Sequence, residues 1–155
     1  MQKTEKFMKQ YGFTKQGFTL IEILVVIGII AILAAVVLIA INPARQFAQA
    51  RNSQRSSNVN AILNAYGQNL ADNKGISTCT GVPVAPAAAL DIGTGAGLVN
   101  LESCLVPTYI SAMLMDPSNG TAADTKYTVS KDANSRITIA APGTELGVPT
   151  ISVTR

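Results

Sequence analysis

The sequence predicts an α+β fold: a long N-terminal helix, membrane-spanning in its first half and amphipathic in its second, packed on a small C-terminal antiparallel β-sheet head. Three observations predict it. An apolar run from Phe18 to Ile41, with no polar side chain from Ile23 onward, is too long for a soluble core element. Beyond it, Val59, Ile62, Leu63, Tyr66 and Leu70 recur at helical spacing. Nearer the C-terminus, Tyr127–Lys131 and Arg136–Ala140 alternate apolar and polar residues on either side of a turn.

Bulk composition supports this division. The 155 residues suffice for one domain and an added element. Hydrophobic residues are 48% and charged ones 14%, apolar for a soluble protein, and most of the excess lies between Phe18 and Ile41. Charge is equally uneven. Residues 1–17 hold Lys3, Lys6, Lys9 and Lys15 against Glu5, and so carry the whole net charge of +3. The remainder is neutral. A sequence pI of about 9.0 therefore reports a basic segment in front of an apolar one, not affinity for nucleic acid. That arrangement keeps an N-terminus on the cytoplasmic side of a membrane.

The elements follow in order. Residues 1–17 form a polar, basic leader ending in Gly17. From Phe18 to Ile41, a helix at 1.5 Å per residue is roughly 36 Å long, enough to cross a hydrocarbon core about 30 Å thick. A secretory signal would have a shorter apolar region and a small-x-small cleavage site at its end, whereas here Ala34-Ala35 is followed by more apolar residues. Glu22 stands against a plain anchor, since a carboxylate costs about 2.5–3.5 kcal/mol at the membrane centre. The competing reading of Glu22 is a helix-start carboxylate favoured by the dipole in the headgroup region.

Asn42-Pro43 marks a bend, and the apolar stripe of residues 59–70 then continues the same helix, expected to run from about Thr19 to Asn73. Lys74-Gly75 is its stop. Residues 42–75 are thus the amphipathic half, and residues 76–155 an extracytoplasmic head. In the head, residues 81–97 read as an irregular Ala/Gly/Pro connection and Leu98–Met115 as short helical turns around Pro107. The hairpin turns at Asp132–Ser135, and Thr150–Thr154 supplies a third strand. Eighty residues make a thin core, so the head needs the residue 59–70 stripe to complete it.

Candidate functional residues are few. Cys79 and Cys104 form an even pair in a segment outside the cytoplasm, which suggests a disulfide closing a loop of roughly 25 residues and contributing about 3 kcal/mol. Two buried free thiols are the alternative. Asp116, Asn119 and Asp124 are weak candidates for a calcium loop, and turn chemistry explains DPSNGTAAD as well. Otherwise the sequence offers no metal site and no cofactor site. Arg45, Arg51 and Arg55 invite DNA or anionic lipid. A solvated face, or contacts with acidic side chains of neighbouring heads, is the favoured reading, and no interleaved aromatics support DNA. With no histidine, no paired-carboxylate motif and no phosphate loop, the chain is not expected to be an enzyme.

At Gly17-Phe18-Thr19-Leu20-Ile21-Glu22 the chain resembles the class III signal of type IV pilins, type II secretion pseudopilins and competence pilins. The resemblance covers roughly the first 70 residues, including PARQFAQARNSQRSSNVNAILNAY, with a fainter echo at Leu105–Pro117. It implies a prepilin whose leader is cut between Gly17 and Phe18 by a prepilin peptidase, which also methylates the new amino group of Phe18. Glycine suits such a site because it lets the backbone extend into a protease cleft. The resemblance further implies that Glu22 pairs with the Phe18 amine of a neighbour, which makes burying both charges far less costly. Gly28, Ala31, Ala34 and Ala35 allow close helix approach.

The implied partners are identical subunits in a helical filament, the peptidase, a membrane platform with its assembly ATPase, and lipid before assembly. The implied location is a single-pass precursor in the cytoplasmic membrane, N-terminus inside, and then an extracellular or cell-surface filament. A pseudopilin of a type II secretion or DNA-uptake machine is the alternative. A single-pass anchored protein whose head binds something outside the cell is a more distant one.

Overall fold

The computed structural model describes residues 17–40, 42–85 and 87–155, so the basic stretch before Gly17, expected to be a leader, lies outside the described residues. The chain divides into two units, one ending at Asn42 and the other spanning Pro43–Arg155.

In the first unit, α1 runs from Leu20 to Ala40. Its start follows from Thr19, whose Oγ1 accepts the backbone N–H of Glu22 at 3.2 Å. This satisfies one of the donors every helix leaves unpaired at its N-terminus. Thr19-x-x-Glu22 is thus the sequence pattern of a capping box. The side chains from Leu20 to Leu38 are all exposed, although almost all of them are apolar.

In the second unit, α2 runs from Pro43 to Asp72. The single helix expected from Thr19 to Asn73 is therefore two helices, with Asn42 outside both. The reason lies in Pro43, which has no N–H to donate to the preceding turn but has a backbone angle well suited to a first helical position. At the other end, Lys74 (φ 58°) and Gly75 (φ 85°) turn left-handed, and the Gly75 N–H closes on the Leu70 carbonyl at 2.7 Å. This is the stop expected of Lys74-Gly75.

The head is a four-stranded antiparallel sheet in the order β1-β2-β3-β4: Leu90–Asp91, Thr128–Lys131, Ile137–Ala141 and Ile151–Thr154. β2 and β3 pair Val129 with Ile139 and Lys131 with Ile137, around a turn in which Asp132 Oδ1 accepts the N–H groups of Asn134 and Arg136. β4, expected from Thr150, pairs Val153 with Ile139. β1 falls within the stretch expected to be irregular. Two residues are too few to show alternation, and only pairing with β2 makes them a strand. The helical turn α3 is Glu102–Leu105, ending ahead of Pro107.

The core forms where α2 lies on β3 and β4. Val59, Ile62, Leu63 and Tyr66 meet Val129, Ile137, Ile139 and Ala141, and all are buried, while Thr138 and Ala140 alternate outward. Leu70 is partly buried at the margin. Ile92, Val99, Leu101 and Leu105 close the remaining side. Cys79 and Cys104 are joined, with an S–S distance of 1.99 Å and a Cα–Cα distance of 5.3 Å, so the free-thiol alternative does not hold. The bridge ties the segment after α2 to α3.

Candidate functional site

The first cluster of predicted residues lies at the start of α1. Gly17, Phe18 and Thr19 precede the helix, and Glu22 sits on its first turn, one turn from Phe18. Phe18 is 78% exposed. Nothing in the fold crowds Gly17, because a Cβ there would meet no atom within 4 Å. Leu20–Leu38, which contains Glu22, is long and apolar enough to cross a membrane, and none of it is buried among the described residues. An exposed apolar surface of this extent calls for lipid or protein around it.

The second cluster is polar and lies inside the head. Arg55 is only 1% exposed along its side chain. Its Nε donates to Asp116 Oδ2 at 2.6 Å and its Nη2 to Asp116 Oδ1 at 3.1 Å. Nη2 also donates to Ser118 Oγ at 2.8 Å, and Nη1 to Glu145 Oε1 and Asn52 Oδ1, both at 2.9 Å. All five donors of the guanidinium are thereby used. Arg51 reaches Glu145 with Nε at 2.7 Å and Nη2. Asn52 holds the backbone of Glu145 from both sides, accepting its N–H at 3.0 Å and donating to its carbonyl at 2.9 Å. Deeper in, Asn58 donates to the Tyr127 hydroxyl at 2.9 Å, and burial pushes that phenol above its ordinary range.

These contacts correct one expectation. Arg55 is buried and not part of a solvated face, while Arg51 stays about a third exposed. Their acidic partners, Asp116 and Glu145, belong to the same chain. The buried face of α2 continues the apolar stripe toward the N-terminus through Asn58, Arg55, Asn52 and Ala48. A charge is tolerated there because it is paired and fully hydrogen-bonded. Arg45, six residues before Arg51, is exposed.

The electrostatics follow from the pairing. Burial pushes the Asp116 carboxyl up, but hydrogen bonds from Arg55 and from the Ser118 N–H outweigh it and hold it below the ordinary carboxylate range. Hydrogen bonds from Arg51 and then Arg55 bring the Glu145 carboxyl down to about 2. The same network accounts for the calcium candidates. Asp116 gives both oxygens to Arg55, and Asn119 is an exposed turn residue. Asp124 pairs with Lys126. The turn is tight: a Cβ on Gly120 would lie 2.3 Å from the Asp116 nitrogen. Among the described residues, no three His, Cys, Asp or Glu side chains gather as a metal site. Glu145, Asn52, Asn58 and Tyr127 escape a reading of local motifs. Extending the 59–70 stripe backwards by helical steps would have found Arg55 and Asn52, but no local signal marks Glu145.

Comparison with known protein families matches residues 12–38 to the prokaryotic N-terminal methylation motif. No curated protein matches the chain. No solved structure matches it either. The matched residues contain Gly17, Phe18 and Glu22 and most of α1. The N-terminal segment therefore carries a prokaryotic N-terminal methylation motif that runs into an exposed apolar helix.

Proposed function

We propose that the chain is the precursor of a structural subunit of a type IV pilus or pilus-like filament, assembled by helix packing once its leader is cut between Gly17 and Phe18. The observation that carries this reading is Glu22: one carboxylate, exposed on the first turn of a helix whose apolar surface is unburied among the described residues. A mere anchor gains nothing from that charge. Cleavage supplies a reason for it, because it creates an amine at Phe18. An amine on one subunit and Glu22 on the next would neutralise each other in an apolar surround and reward one axial register between helices.

The lysines of the leader hold the precursor with its N-terminus in the cytoplasm. A prepilin peptidase and a membrane-embedded assembly machine driven by ATP are the partners this route requires. Lipid surrounds α1 before assembly and identical helices surround it afterwards, with Gly28, Ala31, Ala34 and Ala35 allowing close approach. The polymer carries the function, and the subunit performs no chemistry.

Intact-mass measurement of the native protein tests the reading. A mature chain beginning at methylated Phe18, recovered as the main protein of fibres sheared from cells, is the expected result. Membrane-bound protein that retains its leader would overturn it in favour of a single-pass anchored protein. A processed chain confined to the envelope would instead point to a secretion or uptake pseudopilus.

A further inference from the structure

The head holds a half-open cavity of about 440 Å³ between the end of α2, the segment that follows it and the β2–β3 hairpin. Its floor is apolar, made by Tyr66 and Leu70 of α2 with Val82 and Ile137. The wall is fixed at three points. Asn69 accepts the Thr78 N–H at 3.1 Å and donates to the Thr78 hydroxyl at 2.6 Å. The bridge to Cys104 pins Cys79. Lys131 donates its N–H to the Pro83 carbonyl at 2.8 Å and accepts that of Ala85 at 2.7 Å. A cavity held in this way is preformed, as small-molecule sites mostly are, and its volume is within their range.

Lys131 is the anomaly in its lining. Side chains alternate across a strand, so Lys131 stands on the same face as Val129, which is wholly buried. Its cross-strand partner on that face is Ile137, 3% exposed. A core-facing register position ordinarily carries an apolar residue. Yet Lys131 brings an ammonium to the cavity, and that ammonium has no hydrogen bond or ion pair among the described residues. The adjacent carboxylate, Asp132, is taken by Arg136 at 2.7 Å. Among the described residues, no carboxylate side chain lines the cavity.

Tyr66 supplies a second polar group. The residue is 3% exposed, and its hydroxyl also has no hydrogen-bond partner among the described residues. No buried side-chain oxygen among them is left unsatisfied, so this hydroxyl reaches accessible space. An ammonium and a phenolic hydroxyl thus border one apolar cavity, and both can donate.

We propose that this cavity binds a small amphipathic acid, its carboxylate on the Lys131 ammonium and its apolar body over Tyr66, Leu70 and Ile137. One unpaired ammonium matches a single negative charge. A neutral molecule would leave it unpaired against an apolar floor, and a cation would be repelled. The site lies wholly in the head and does not depend on the filament reading.

Benzoate, benzamide and benzylammonium, which share a ring and differ in charge, test this on the isotopically labelled full chain in detergent, read by amide NMR shifts. Benzoate should give saturable shifts at Ser77, Gly81, Lys131 and Ser135. Benzamide should bind at least about tenfold more weakly, the worth of one charge-assisted hydrogen bond, and benzylammonium should not bind. Lys131→Met should reduce benzoate to the level of benzamide, and Lys131→Arg should retain most of the affinity, with thermal unfolding unchanged in both. Equal affinity for benzoate and benzamide would overturn the proposal, and so would full benzoate binding by Lys131→Met. Shifts that rise without saturating for all three compounds would overturn it too, since they report partition into detergent. The comparison of benzoate with benzamide uses the wild-type chain, so it decides the matter even where a variant does not fold.

Discussion

Arg55 and Asp116 form a two-point ion pair inside the head, Nε to Oδ2 at 2.6 Å and Nη2 to Oδ1 at 3.1 Å, with both side chains 1% exposed. The geometry is the fork-to-carboxylate arrangement that arginine makes and lysine cannot. It binds the middle of α2 to the turn before β2, and Glu145 adds the loop before β4.

Removing one member of this pair leaves the other charged and buried. Asp116→Ala should destabilise the folded chain by about 3–5 kcal/mol, and Arg55→Lys by less but still measurably. Urea unfolding of the full chain in detergent, followed by head tyrosine fluorescence, measures both. A loss below about 1 kcal/mol for Asp116→Ala would show that the pair is not buried as described.

The depressed carboxylates make stability depend on pH with a definite sign. Glu145 titrates near 2 in the folded chain and Asp116 below its ordinary range, whereas both titrate near 4 when unfolded. Each therefore stabilises the fold above the ordinary carboxylate value, and that contribution fades as pH falls toward 2. Melting temperature should be flat from about pH 5 to 8 and decline below about pH 4. Glu145→Gln should lower the plateau and flatten the decline.

Cys79 and Cys104 close a loop with a sequence separation of 25 residues. Opening it should cost about 3 kcal/mol through the freedom returned to the unfolded chain. Cys79→Ser and Cys104→Ser should shift the unfolding midpoint equally, and reductant should move the wild type to the same value. Unequal shifts would locate the effect in packing at one sulfur instead.

Glu22→Ala leaves α1 apolar throughout and takes nothing from the head. Precursor insertion and head stability should be unchanged, and fibre yield should fall at least tenfold, a loss of about 1.4 kcal/mol or more per contact. Quantitative blotting of sheared fibres against membrane-bound subunit reads this. Wild-type fibre yield would remove the assembly role assigned to the charge.

Much of the fold was readable because its signals are local or periodic. The helix stop at Lys74-Gly75, the turn at Asp132–Ser135 and the alternation of Ile137–Ala141 each depend on neighbours a few positions apart. The boundary at Pro43 was visible too, and it lies where α1 gives way to α2. Proline both ends one donor ladder and suits the start of the next. β1 was not readable, since its two residues become a strand only through β2.

The sequence by itself determined the first 41 residues of the protein: a basic segment, Gly17-Phe18 before a carboxylate at Glu22, and an apolar run long enough for a membrane. Those features need no folded context, because charge, length and spacing are properties of the chain alone and act directly on lipid. Only the tertiary structure decided what the arginines of α2 do. Arg55 meets Asp116 across 61 positions and Glu145 across 90, and no local pattern specifies which of eight carboxylates beyond the leader an arginine will find. The burial that makes the pair matter is a property of the packed head, where α2 and the sheet remove water from both charges at once.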